Sequence, residues 1–183
     1  MRPTLPVAIA AAVAAVALPA AAALQPGAKA PDFTAQGARN GQPVSVNLKA
    51  ALKKGPVVLY FFPAAYTPGC NMEAAAFADA LDDFTKAGAT VIGMTAGKTD
   101  QLLAFSKEHC AGKFTVAAAS PQVIAGYDVA FRDADGKAKP ITNRTSYVIA
   151  PNGRILSVFS DLNYAGHVRN TLDAVRKYRK SRR

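Results

Sequence analysis

Six consecutive apolar residues, Val57-Val58-Leu59-Tyr60-Phe61-Phe62, stand between Gly55-Pro56 and Pro63. An uninterrupted, partly β-branched run of that length reads as a strand buried on both faces. Downstream, Phe77, Leu81 and Phe84 recur at helical spacing in an alanine-rich stretch, which predicts a helix over 71–86 with Gly88 as its stop. Thr90 to Thr95 is a second apolar strand, and Thr99-Asp100 looks like the cap of a helix carrying Leu102, Leu103 and Phe105. Val123, Ile124 and Tyr127 suggest a shorter helix. Thr145–Ile149 and Arg154–Phe159 read as two strands joined by the turn Pro151-Asn152-Gly153, before a last helix from about Ala165 to Tyr178. Near the start, Pro31-Asp32-Phe33 opens the ordered part and Asn40-Gly41-Gln42-Pro43 is a turn leading into Val44-Ser45-Val46. Strands alternating with helices and ending in a hairpin and a helix predict an α/β fold with a mixed sheet, in one domain.

The first two dozen residues follow a different rule. Arg2 gives a positive start, Val7 to Leu18 is an uncharged apolar run, and Pro19 precedes the string Ala20-Ala21-Ala22-Ala23. That is the layout of a secretory signal peptide over 1–23, with a run too short to span a membrane. The mature chain then begins at Leu24, and export to a periplasmic or extracellular, oxidising compartment is expected.

Composition narrows the chemistry. Of the 183 residues, 19% are charged and 50% hydrophobic, which excludes a disordered chain. Two cysteines and two histidines exclude a four-thiolate zinc site, and their spacing fits no zinc finger. Nothing resembles a haem, nucleotide or other cofactor motif, so no cofactor is expected. The net charge of +10 owes much to the tail Arg176-Lys177-Tyr178-Arg179-Lys180-Ser181-Arg182-Arg183. This tail reads as a solvated, frayed helix end; contact with an anionic membrane surface is the alternative, and nucleic acid is not expected.

The chemistry-bearing segment lies between the first strand and the long helix, in Pro63-Ala64-Ala65-Tyr66-Thr67-Pro68-Gly69-Cys70. Pro63 ends the strand, and Pro68-Gly69 turns the chain so that Cys70 enters the first turn of the helix. Unpaired N–H groups and the positive end of the helix dipole favour an anion there, and a thiolate is one. Thr67, three residues earlier, can bring its hydroxyl near the sulfur. Local geometry thus leaves two readings of Cys70, a reactive nucleophile or a buried inert thiol.

Phe61 to Cys70 resembles the active-site loop of the peroxiredoxins, whose core is P-x-x-x-T-x-x-C. Glu73 three residues on, the opening Ala30-Pro31-Asp32-Phe33, and Arg144 ahead of Thr145–Ile149 extend the resemblance over roughly Gln25 to Tyr178. It is nearest to the peroxiredoxin Q (bacterioferritin-comigratory) subgroup, whose loop typically reads F-T-P-G-C where this chain has Tyr66. The resemblance implies a thioredoxin-like fold, with a central mixed β-sheet flanked by helices. It also implies a thiol peroxidase serving antioxidant defence. Cys70 would attack a peroxide oxygen and become a sulfenic acid. Arg144 would stabilise the thiolate and the leaving oxygen, Thr67 would orient the peroxide, and Pro63 would wall the pocket from water. Glu73 is expected to be structural, orienting an arginine or the helix start, and His167 receives no role.

The second sulfur departs from the commonest pattern. Relatives often carry a resolving cysteine five residues after the first, where this chain has Ala75. Cys110, at the end of the predicted helix through Ser106-Lys107-Glu108-His109, is the resolving candidate. The alternatives are resolution by an outside thiol and a permanent Cys70–Cys110 staple in a non-catalytic domain. A thioredoxin-type oxidoreductase would need C-x-x-C, whereas the chain reads Cys70-Asn71-Met72-Glu73. The partners expected are a peroxide substrate and an external thiol reductant, such as a thioredoxin-like dithiol, acting on a monomer.

Overall fold

The computed structural model describes residues 23–182, so the predicted signal segment falls outside the described residues apart from Ala23. The chain opens with a hairpin of β1 (Thr34–Arg39) and β2 (Gln42–Asn47). Arg39 pairs with Gln42, leaving Asn40-Gly41 as a two-residue turn with φ of 50° and 74°. Both residues take positive φ, as the twist of a tight hairpin requires, and Asn-Gly supplies it at low cost. Asn47 then caps α1 (Leu48–Leu52), its side chain accepting from the Ala50 N–H at 2.8 Å.

The buried run is β3 (Val57–Phe61), followed by α2 (Pro68–Asp79), α3 (Leu81–Lys86) and β4 (Thr90–Thr95). A 3₁₀ turn at Thr99–Gln101 leads into α4 (Leu102–Glu108), and β5 (Thr115–Ala118) and α5 (Pro121–Tyr127) follow. A separate hairpin of β6 (Ala130–Arg132) and β7 (Ala138–Thr142) precedes β8 (Thr145–Ile149) and β9 (Ile155–Ser160). The last helix is α6 (His167–Lys180), entered through a 3₁₀ turn at Tyr164–Gly166.

Seven strands form one sheet in the order β2-β1-β5-β4-β3-β8-β9. The centre β5-β4-β3 is parallel, while β8 runs antiparallel to β3 and β9 to β8. This is the expected mixed sheet of a thioredoxin-like fold. Strand alternation divides the apolar side chains of β3 between two cores. Val58, Tyr60 and Phe62 pack with Phe77, Phe84, Phe105, Leu172 and Val175, on the face that also buries Cys70 and Cys110. Val57, Leu59 and Phe61 meet Leu48, Leu52, Val123 and Tyr127 on the other.

Several details differ from the sequence reading. The helix expected over 71–86 breaks at Ala80, whose ψ of 0° ends α2, and Lys113 donates its Nζ to the Ala78 carbonyl at 3.0 Å. An ammonium from another segment thus adds a donor at the carbonyl end of α2. Thr99-Asp100 lies in the 3₁₀ turn and gives no side-chain cap to α4. The first part of the basic tail is not frayed: α6 continues to Lys180, the Arg176 side chain meets Asp83 at 3.1 Å, and Arg179 donates to the Lys86 carbonyl.

One close approach sets the middle of the sheet. Tyr60 pairs across from Gly93, and a Cβ on Gly93 would stand 2.7 Å from Cζ of the tyrosine ring. Tyr60 also stacks on Phe77 with centroids 4.3 Å apart, so its ring cannot swing away into α2. Gly93→Ala is expected to destabilise the fold by about 1–3 kcal/mol through overpacking, read as a lower urea midpoint at unchanged slope.

Candidate active site

Pro68 occupies the first turn of α2, where its missing N–H costs nothing, and its fixed φ starts the helix. The first helical bond runs from the Asn71 N–H to the Thr67 carbonyl at 2.9 Å. The N–H groups of Gly69 and Cys70 lie ahead of it, on the end of the helix that attracts negative charge. Cys70 is 1% exposed there.

Arg144 arrives from the opposite side. Phe61 pairs with Thr145, so the antiparallel register of β3 and β8 puts Arg144 beside the point where β3 hands over to the loop. Its Nη2 donates to Cys70 Sγ at 3.5 Å, its Nε to the Leu162 carbonyl at 2.8 Å, and its Nη1 to Glu73 Oε2. Three directions of the guanidinium are therefore fixed, one on the sulfur. Gly69 makes room, since a Cβ at that position would stand 3.3 Å from Nη2.

Glu73 is fully buried, one turn beyond Cys70 on the same helix face. Burial pushes its carboxyl up to about 8, against the opposite pull of Arg144. Burial also opposes the charge on Arg144, but Glu73 and Cys70 outweigh that and hold it above its ordinary range. Beyond Glu73 lies His167, also fully buried, with Nδ1 3.7 Å from Glu73 Oε1 and 2.8 Å from Ser146 Oγ. Its Nε2 is 2.9 Å from the Asp161 carbonyl, and burial lowers its tendency to take a second proton.

The structure brings together Cys70 and Arg144, both picked out by the family resemblance, and of the two structural roles open to Glu73, orienting an arginine or the helix start, its carboxyl meets the arginine. Thr67, expected to orient the peroxide, braces the loop in the peroxide-free structure. Its hydroxyl donates to the Ala64 carbonyl at 3.1 Å and makes no cap bond to α2, so it holds the loop rather than the helix. The Pro63 carbonyl accepts from Thr95 Oγ1 at 3.0 Å, which ties the start of the loop to the end of β4.

Cys110 lies two residues past α4, fully buried in the same core as Cys70, and burial pushes its thiol far up. Both cysteines are free thiols, so the structure holds no Cys70–Cys110 staple. Tyr66 links the two segments that carry them. Its hydroxyl donates to Glu108 Oε2 at 2.8 Å, and its ring meets Phe105 and His109 edge-on. The residues that sequence reasoning left without a role are His167 and Ser146. Nothing local marks either of them, because each acts across the interface of α6 with β8.

The AhpC/TSA family model matches residues 26–158. Peroxiredoxin Bcp of Escherichia coli K12 is 30% identical over 112 residues, covering 61% of this chain and 72% of that protein. The chloroplastic peroxiredoxin Q of Sedum lineare is 41% identical over 83 residues, 45% of this chain and 42% of that protein. Among solved structures, peroxidoxin BcpB from Mycobacterium tuberculosis superposes with a TM-score of 0.73 at 28% identity, covering 84% of this chain and 97% of that one.

The buried pair makes a stability prediction. Arg144→Met is expected to cost about 3 kcal/mol, because it strips the partner from a buried carboxyl group. Glu73→Gln, which keeps an acceptor for the guanidinium, should cost about 1–2 kcal/mol. The double variant should lose at least about 0.5 kcal/mol less than the sum of the singles, as measured by urea unfolding.

Proposed function

This chain belongs to the AhpC/TSA family, in its peroxiredoxin Q and Bcp branch, and we propose that it is a thiol peroxidase whose reacting sulfur is Cys70. The observation that carries the reading is the Arg144 guanidinium, set 3.5 Å from Cys70 Sγ at the N-terminus of α2. A cation and a helix N-terminus both face that one sulfur, where negative charge is handled during nucleophilic attack.

In the reaction, the Cys70 thiolate attacks one oxygen of hydrogen peroxide or an organic hydroperoxide. A sulfur–oxygen bond forms as the oxygen–oxygen bond breaks, leaving a sulfenic acid on Cys70. The departing oxide takes a proton and leaves as water or an alcohol. Arg144 faces the negative charge as it moves from sulfur to the leaving oxygen, and the N–H groups of Gly69 and Cys70 supply further donors. Glu73 keeps the arginine in place. Thr67 and Pro63 hold the loop, each through a backbone carbonyl.

Cys110 then attacks the sulfenic sulfur, and water leaves as the disulfide forms. An external dithiol reduces that disulfide and restores both thiols. Burial of Cys110 means that this step needs the segment after α4 to leave its core position. Ala111 and Gly112 support the requirement, with consecutive φ values of 48° and 67°, a backbone poised to change. The signal-like leader supports work in an exported compartment, as part of antioxidant defence there.

Intact mass after one equivalent of hydrogen peroxide tests the reading. The reduced protein should lose two hydrogens, Cys110→Ser should gain oxygen at Cys70, and Cys70→Ser should be inert. Arg144→Lys should slow the oxidation of Cys70 by about 10²–10³-fold, because the forked contact to both sulfur and carboxylate is lost. If Cys70 stays unmodified in wild-type protein, the peroxidase reading is wrong. A gain of oxygen with no disulfide would instead make an outside thiol the resolving group.

A further inference from the structure

The Arg144–Glu73 pair leaves one atom unexplained. Glu73 Oε2 receives the guanidinium, but Oε1, in a fully buried side chain, has no hydrogen-bond partner. His167 Nδ1 stands 3.7 Å from it. The state of that nitrogen follows from its surroundings. The Asp161 carbonyl can only accept, so the proton of the neutral ring sits on Nε2, and Nδ1 carries a lone pair that Ser146 can serve. Glu73 Oε1 beside it is a buried acceptor without a donor, which is costly in a site without water-exposed surface. A proton on Oε1 aimed at Nδ1 relieves it, the Ser146 hydroxyl hydrogen then turning away from the ring.

Charge leads to the same point. With Cys70 as thiolate and Glu73 as carboxylate, one guanidinium faces two anions inside the core. One added proton at the far side of Glu73 balances them.

Resting on the reading of Cys70 as the peroxidatic sulfur, we propose that Glu73 and His167 hold one proton between Oε1 and Nδ1. That shared proton leaves Arg144 to Cys70, which makes His167 a positioning residue acting through Glu73. The groups facing this pair are few. Glu73 meets Arg144 ahead of β8 and senses Tyr60 of β3. His167 meets Ser146 of β8, the Phe159 ring of β9 with centroids 4.8 Å apart, and the Asp161 carbonyl, with the Asp161 carboxylate and Arg144 as its other charged neighbours. None supplies a donor to Oε1. The opposite displacements of the two groups agree with one proton held mainly on the carboxyl, since burial raises Glu73 to about 8 and lowers His167.

The sign of the effect follows. As pH rises through about 8, the pair loses its proton, Glu73 becomes a full anion and competes with Cys70 for Arg144. The rate of Cys70 oxidation should fall on that alkaline side.

The test uses the full reduced chain, with ¹⁵N-labelled histidine. The chain has two histidines, and His109→Gln assigns the signals. The Nδ1 resonance of His167 should shift with a midpoint near about 8, together with the fall in the rate of Cys70 oxidation by hydrogen peroxide. Glu73→Gln should abolish both transitions. His167→Gln, whose amide can donate to Oε1, should move the alkaline fall to lower pH by about one unit. The proposal is overturned if Nδ1 titrates only near the ordinary histidine value of about 6.5 and ignores Glu73→Gln. It is equally overturned if the alkaline fall is indifferent to both variants. A wild-type Cys70 inert to peroxide would sink the function instead, while the nitrogen titration still decides whether the proton is shared.

Discussion

The structure turns on one guanidinium in a dry pocket. Arg144 must face Cys70, Glu73 and the Leu162 carbonyl at once, and each contact arrives from a different element. The sulfur and the carboxyl come from the first two turns of α2, and the arginine from the start of β8. What aligns them is the antiparallel pairing of β3 with β8, which ends at Phe61↔Thr145. A one-residue slip in that register would turn the arginine to the other face of the sheet, away from α2. The wholly buried β3 is therefore more than core filler. Its two apolar faces fix the register, and the register fixes the chemistry. Removing the guanidinium from such a site leaves the buried carboxyl stranded, so the sheet register and the Arg144–Glu73 contact depend on each other.

Cys110 is held by a different logic. It shares a core with Cys70, yet its surroundings combine tight packing with backbone in sparsely populated conformations. Tyr66 has φ of 56° and Ala111 of 48°, each costing on the order of 1 kcal/mol for a residue with a side chain. The Tyr66–Glu108 hydrogen bond and the Tyr66–His109 contact connect the two strained segments. Strain that persists only while neighbours over-determine it is released when those neighbours move. A loop and a helix end so coupled are suited to rearrange together, with the central strands undisturbed.

How much of this was legible in the sequence follows from how local each feature is. The β3 run, the Pro63–Cys70 loop and the start of the next helix are contiguous, so composition and spacing suffice to read them. Arg144 is distant in sequence, and only the family resemblance singled it out. His167 and Ser146 are single residues whose meaning depends on the packing of α6 against β8, and no periodicity reports that. Among the elements, β1 (Thr-Ala-Gln-Gly-Ala-Arg) lacks an apolar pattern because it lies beside β5, where a Cβ on Gly37 would meet the Val116 carbonyl at 2.3 Å. Close backbone approach, rather than side-chain burial, defines that strand. The break at Ala80 was equally hidden, since the Lys113 ammonium that donates at the end of α2 lies more than thirty residues away.

The last helix shows why His167 sits where it does. Leu172 and Val175 bind the middle of α6 to the core, and Arg176 and Arg179 fasten its far end to α3. With both anchors set, the first residue of the helix has little freedom, and that residue is His167. The positive end of the α6 dipole acts on its ring and opposes a second proton there. The same placement keeps a neutral imidazole lone pair beside the carboxyl that holds Arg144. A basic surface at one end of the helix and a neutral histidine at the other are thus parts of one arrangement. The charge outside secures the helix, and the secured helix sets the environment of the charge inside.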